Sequence, residues 1–283
     1  MDLGLAPTVS HSGLAVPRML YGTAWKEDET ARHVAAALEA GFRGFDTACQ
    51  RKHYHEAGVG TGIAPFLAAH GRESLFLQTK YTYARGQDHR LPYDPSAPPI
   101  EQVRQSAARS LEHLGVAQLD ALLLHGPETG EGLTATDLAV WRAMEEEQAA
   151  GRTRLLGVSN VSAAQLDRLV SVAHTRPSFV QNRCYANRGW DSEVRRLCQR
   201  HGIVYQGFSL LTANRTVWND RRLHPIARRV GGTPAQVILR FAWHIGILPL
   251  TGTTDSAHMK LDLEIGRFAL CADEIALIEG MGR

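Results

Sequence analysis

The sequence predicts one α/β domain over residues 1–283, a closed (β/α)8 barrel of the TIM type. Three observations predict it. Eight short apolar or β-branched runs alternate along the whole chain with longer segments of helical period. No stretch rich in Pro, Ser and Gly divides the chain in two. A length of 283 residues suits eight such units in one barrel.

The runs are Arg18–Ala24, Gly41–Ala48, Ser74–Tyr81, Gln118–His125, Thr153–Asn160, Ser178–Cys184, Gly202–Ser209 and Gly246–Gly252. Each is too short for an ordinary helix and reads as a buried strand. After the second run, Gly58, Gly60 and Gly62 open a helix and suit close packing rather than a dinucleotide loop, because no strand directly precedes them. After the third run comes a long irregular loop, residues 82–99, whose prolines limit its conformations without pinning it to the barrel; a partial lid is expected there. Val103, Ala107, Leu111 and Leu114 then share one helical face. Leu138, Trp141, Met144 and Gln148 share another, which Gly151 ends. Ser162 with Gln165 makes a capping box, and Thr233-Pro234 opens a helix carrying Val237, Ile238, Phe241, Ala242 and Ile245.

Composition narrows the function classes. With 44% hydrophobic and 21% charged residues the chain reads as a soluble globular protein. A net charge of +2 gives no electrostatic case for a nucleic-acid partner. No apolar run approaches the roughly 18 residues of a membrane span. The N-terminus lacks a basic region followed by an apolar stretch, so a cytoplasmic location is expected. The four cysteines form no CxxC pair, which argues against a disulfide or zinc framework. His53 and His55 flank Tyr54 without a third ligand at zinc-like spacing, so no metal is expected.

Barrel chemistry sits at the C-terminal ends of the strands. Asp46, Lys80, His125, Ser159, Asn160, Gln181, Ser209 and Thr251 stand at or near those ends. At these residues, in GFRGFDTA, LFLQTK, ALLLHGP, RLLGVSN, FVQNRCY, VYQGFSLL and PLTGTTDSAHM, the chain resembles the aldo-keto reductase family, with the segments in family order over nearly the whole length. The resemblance implies hydride transfer between a nicotinamide cofactor and the carbonyl carbon of an aldehyde or ketone. It assigns Asp46, Lys80 and His125 to the catalytic set, with a tyrosine as general acid. Arg51 occupies the tyrosine's usual offset, and the DTACQRKHY form moves that role to Tyr54. A phenol titrates near pH 10 unperturbed, and a neighbouring ammonium is expected to lower it.

For the cofactor, the resemblance implies Gly22 and Thr23 beneath it, Ser159, Asn160 and Gln181 on the carboxamide, and Phe208 stacked on the nicotinamide. Ser209, Leu211 and Asn214 would cover the pyrophosphate. Gly252, Thr253, Thr254, His258 and Asp262 fall in the segment that takes the 2′-phosphate. Gly252 and His258 replace the usual Lys and Arg, so NADPH is expected, with NADH possible and a narrower margin between them. Trp25, Tyr83 and Tyr93 are candidate walls of an open substrate pocket. The expected partner is a small-molecule carbonyl substrate, met by a monomer or weak homo-oligomer. Two other readings stand beside this one: a nucleotide-binding regulatory or sensor subunit without turnover, and a barrel enzyme of other chemistry.

Overall fold

The computed structural model describes residues 8–282. It opens with an antiparallel hairpin, β1 (Thr8–His11) and β2 (Leu14–Pro17). Ser12 and Gly13 join the two strands with φ of 49° and 79°, the paired positive angles of a type I′ turn.

Eight parallel strands then close into a barrel: β3 (Leu20–Gly22), β4 (Gly44–Asp46), β5 (Phe76–Tyr81), β6 (Leu119–Leu124), β7 (Thr153–Ser159), β8 (Phe179–Arg183), β9 (Val204–Phe208) and β10 (Ile247–Thr251). Closure comes from β10 pairing β3, Leu250 opposite Leu20 and Thr251 opposite Tyr21. Around the barrel run α1 (Thr30–Ala40), α2 (Glu56–His70), α3 (Pro99–Leu114), α4 (Ala135–Ala149), α5 (Ala163–Val172), α6 (Ser192–His201), α7 (Arg215–Trp218), α8 (Leu223–Val230), α9 (Pro234–His244), α10 (Ser256–Leu263) and α11 (Ala272–Gly280). Capping boxes start α4 at Thr134, α5 at Ser162 and α9 at Thr233. The glycines of α2 let it approach its neighbours: a Cβ at Gly60 would collide with the His113 carbonyl of α3, and one at Gly62 would meet the Ala31 carbonyl of α1 at 2.7 Å.

The barrel interior is layered. At the strands' N-terminal ends, Leu20, Phe76, Phe179 and Leu248 form an apolar floor, which Val16 of the hairpin joins from below. One layer higher lie Asp46, Gln78, Gln181 and Gln206, all almost wholly buried. Asp46 faces Gln78 in register and Gln181 faces Gln206, so neighbouring strands deliver these polar groups at one height. Above them is the mouth, where strand ends and loops meet.

The loop from Thr82 into α3 is not the loosely held lid its prolines suggest. Tyr93 is buried, packs against Tyr81 with ring centroids 5.7 Å apart, and donates its hydroxyl to the Thr82 carbonyl at 2.7 Å. Gln87 donates to the Cys49 carbonyl at 2.9 Å, and Gln50 donates to the Gly86 carbonyl at 2.7 Å. Burial of an aromatic ring and satisfied backbone groups pin the segment to the barrel. Tyr93 is thus a packing residue beneath the loop rather than an open pocket wall. Tyr83 likewise turns its hydroxyl to Asp137 in the first turn of α4, at 2.8 Å. Replacing Tyr93 with Phe is expected to cost about 1 kcal/mol, the net worth of one hydrogen bond, measurable by urea unfolding.

Candidate active site

The ladder of backbone hydrogen bonds continues past the strands and fixes the mouth. Thr23 N donates to Asp46 O, His125 N to Tyr81 O, and Asn160 N to Gln181 O, all within 2.9–3.0 Å. Trp25, Asn160 and Ser209 each hold a left-handed backbone, with φ of 62°, 54° and 58°. Non-glycine residues in that region cluster at functional sites, where surrounding structure compensates the strain.

Lys80, from β5, is fully buried. Its ammonium donates to both oxygens of Asp46 at 2.7 Å and to the Thr47 carbonyl at 2.8 Å. Gln78 donates to the same carboxylate at 2.6 Å and Gln181 at 2.9 Å, while Gln206 accepts from both amides at 2.9 Å and donates back to Gln78 at 2.8 Å. The buried carboxylate is therefore surrounded by donors, the condition under which a buried charge is tolerated. Burial nevertheless pulls the Lys80 ammonium below its usual range, against the opposing pull of Asp46.

Tyr54 lies above this pair. The Lys80 nitrogen is 5.3 Å from its ring centroid, and His125 meets it edge-on with centroids 5.9 Å apart. Arg51, at the usual offset of the tyrosine, instead turns away to Asp28 at 3.2 Å. The structure thus brings Asp46, Tyr54, Lys80 and His125 together. The phenol differs from the sequence expectation: burial first, and the Asp46 charge second, push it above its ordinary value rather than below. Loss of water around the phenolate is the larger cause, so Tyr54 holds its proton. Burial and the Lys80 ammonium drive His125 down to about 3, which keeps the imidazole neutral.

Two residues after Tyr54, the buried Glu56 anchors the loop. Its carboxylate accepts from Thr79 of β5, from Ser110 at 3.1 Å and from His113 at 2.9 Å. Because Thr79 precedes Lys80, this cluster ties the tyrosine loop to the lysine strand.

The cofactor candidates divide. Asn160 donates its amide to His125 O at 2.8 Å and to Ser159 Oγ at 3.1 Å, and Ser159 donates to Gln181 O at 2.6 Å. No protein group among the described residues donates to Asn160 Oδ1 or Gln181 Oε1, so two acceptors suited to a carboxamide NH2 remain free. Phe208 ends β9 half-buried, its ring 5.6 Å from the Arg183 guanidinium. Ser209 and Leu211 follow it, half-buried. Gly22 and Gly252 lie close together: a Cβ on Gly252 would stand 3.2 Å from the Gly22 carbonyl. Thr23 is buried and bonds Asp46 O through its hydroxyl at 2.9 Å, so it holds β3 to β4.

Three expectations are corrected. Asn214 is buried and spends its amide on the backbone of Ala186, Cys184 and Leu210, folding its own loop rather than facing a ligand. Asp262 is buried behind β10, accepts from Thr251 at 2.6 Å, and is raised by burial to about 6. At the start of α10, the amides of Ala257 and His258 are already taken by Asp255, at 2.8 and 2.9 Å, so the helix N-terminus carries its own carboxylate where a phosphate was expected. Thr253, Thr254 and His258 remain at the surface of that segment.

Sequence reasoning missed three residues. Gln78 and Gln206 interrupt apolar runs in FLQTK and VYQGF, and a polar residue amid strand apolars is the signal that marks them. Lys26 is buried beside Gly252, donates to its carbonyl at 2.8 Å, and lies 5.0 Å from the Tyr21 ring centroid; burial lowers it to about 8. It is a cation on the side of the site where the glycines approach.

Comparison with known proteins agrees with this architecture. The rice (Oryza sativa subsp. japonica) deoxymugineic acid synthase 1 is 30% identical over 296 residues, covering 95% of this chain and 88% of its own. The D-galacturonate reductase of Fragaria ananassa is 28% identical, covering 97% and 86%. The crystal structure of an aldo/keto reductase from Brucella melitensis superposes with a TM-score of 0.85 at 26% identity, covering 99% of each chain. That of a Bombyx mori aldo-keto reductase in complex with NADP gives 0.81 at 25% identity, covering 98% of this chain and 92% of that one. The sequence profile of the Aldo/keto reductase family matches residues 18–283, and with the barrel and its mouth as described, the chain belongs to that family.

Proposed function

We propose that this chain reduces an aldehyde or ketone to an alcohol with NADPH, the proton coming from Tyr54. The observation that carries this reading is the convergence of a protonated phenol, a buried ammonium and a neutral imidazole on one mouth. The free acceptors Asn160 Oδ1 and Gln181 Oε1 fit the carboxamide, with Ser159 behind them. Phe208 offers a ring face for stacking. Gly22 and Gly252 leave room for close approach, with Ser209, Leu211, Thr253, Thr254 and His258 along the remaining length.

When bound, the cofactor supplies hydride to the carbonyl carbon. The chain's own residues manage the oxygen. His125 is neutral and offers an N–H to orient the carbonyl. Tyr54 donates its proton as negative charge grows on that oxygen. Lys80, held by Asp46, stabilises the phenolate left behind. The carbon gains hydride, the oxygen gains the proton, and solvent reprotonates Tyr54.

Trp25 is 68% exposed at the rim and its ring lies tilted against His53 with centroids 4.0 Å apart, an open aromatic wall suited to bulky or dicarbonyl compounds. A panel of aldehydes, α-diketones and cyclic ketones, followed by NADPH oxidation, tests the reading. Turnover is expected. Tight NADPH binding with no turnover across the panel would favour a sensor subunit instead.

Lys26 gives this proposal a pH signature. Its ammonium is charged below about 8 in the free protein, and a bound phosphate would raise that value. NADPH affinity should hold steady up to about pH 8 and fall as pH rises beyond it. Fluorescence titration of the Lys26→Met variant should show weaker binding at neutral pH and a flat profile. An unchanged profile would place the phosphates away from Lys26.

A further inference from the structure

We propose that the Thr82 hydroxyl sets the tautomer of His125, keeping its single proton on Nε2 so that the ring presents an N–H to the carbonyl oxygen. The role for that N–H rests on the function proposed above; the tautomer does not.

Thr82 follows β5 directly and is buried. Its Oγ1 lies 2.6 Å from His125 Nδ1. Its backbone carbonyl accepts from the Tyr93 hydroxyl at 2.7 Å and from Gln87 at 3.3 Å, which fixes the residue in place. His125 is fixed as well, its N–H on Tyr81 O and its carbonyl accepting from Asn160. The two side chains therefore meet between clamped backbones.

A hydroxyl and a neutral imidazole can share one hydrogen bond in either direction, and the surroundings choose between them. Nδ1 is the only partner of the Thr82 hydroxyl among the described residues. Were the hydroxyl to accept from Nδ1–H, its own buried proton would have no acceptor, at a cost of about 1–3 kcal/mol. Donation from Oγ1 to Nδ1 satisfies both groups. With Nδ1 an acceptor and the ring neutral, the remaining proton is on Nε2. No protein group bonds Nε2 among the described residues, so that N–H is available to the mouth. Thr82 is not placed against substrate or cofactor; it is a positioning residue acting through His125.

Nitrogen NMR of the histidine-labelled, cofactor-free protein tests this directly, with the His125 signals assigned by their absence from the His125→Gln spectrum. The wild type should show a protonated Nε2 and an unprotonated Nδ1 throughout the neutral range. Thr82→Val should lose that fixed pattern and lower kcat for para-nitrobenzaldehyde about tenfold, with NADPH affinity unchanged. Thr82→Ser should restore both readouts. A wild-type proton on Nδ1 overturns the proposal, and so does a Thr82→Val protein with wild-type spectrum and kcat. If Thr82→Val does not fold, the wild-type spectrum and the Thr82→Ser variant decide. A wild type that reduces no carbonyl would sink the functional reading, while the spectrum would still judge the tautomer.

Discussion

Tyr54→Phe protein should bind NADPH with near wild-type affinity and reduce carbonyls roughly 10²–10⁴-fold more slowly, the range for loss of a positioned proton donor. The substitution removes one oxygen and leaves the ring that packs against His125 and Lys80. The fold and the cofactor contacts proposed at Asn160 and Gln181 should therefore persist. The loss should fall on kcat and kcat/KM together, because the donated proton matters only as charge develops on the oxygen. Steady-state kinetics with a fluorescence-derived Kd checks both parts. Near-normal kcat would mean that the acid lies elsewhere.

The Asp46–Lys80 pair should separate stability from chemistry. Lys80→Met leaves the Asp46 carboxylate buried with only amide donors, and breaking a buried pair in this way costs about 3–5 kcal/mol. Turnover should vanish with it, since the phenolate of Tyr54 loses its cation. The double variant Asp46→Leu with Lys80→Met removes both charges, and such replacements are often neutral for stability. Urea unfolding should show a large share of the lost stability regained. Activity should remain absent, because the ammonium is still missing. A double variant as unstable as the single one would mean that the amides of Gln78 and Gln181, which donate to Asp46, need the carboxylate as their acceptor.

How far the sequence carries is visible in particular residues. The eight runs correspond to the eight barrel strands, yet Arg18–Ala24 narrows to Leu20–Gly22 and Gly41–Ala48 to Gly44–Asp46. Apolar character continues into buried turns, such as Ala48 and Cys49, where strand pairing has ended. The hairpin β1–β2 escaped because its Ser12-Gly13 turn joins segments of only four residues each. Asp46, Lys80 and His125 were legible because strand ends and a family pattern coincide on them. Asn214 and Asp262 were misread because sequence position does not tell which way a side chain turns: one is spent on backbone groups, the other on Thr251. Lys26 escaped for the opposite reason, since a lysine in a loop reads as solvated until its burial beside Gly252 is seen. Loop 82–99 looked free because prolines are conspicuous, whereas the buried Tyr93 and Gln87 that pin it are not.

In the proposed reaction, hydride reaches a carbonyl carbon in this mouth while Tyr54 protonates the oxygen. A single-turnover reaction with NADPH deuterated at the transferring position measures it most directly. Deuterium should appear on the carbinol carbon of the alcohol with a primary isotope effect on the rate, and Tyr54→Phe should deliver it to the same carbon roughly 10²–10⁴-fold more slowly. Label washed into solvent, or label delivered by the Tyr54→Phe protein at the wild-type rate, would contradict it.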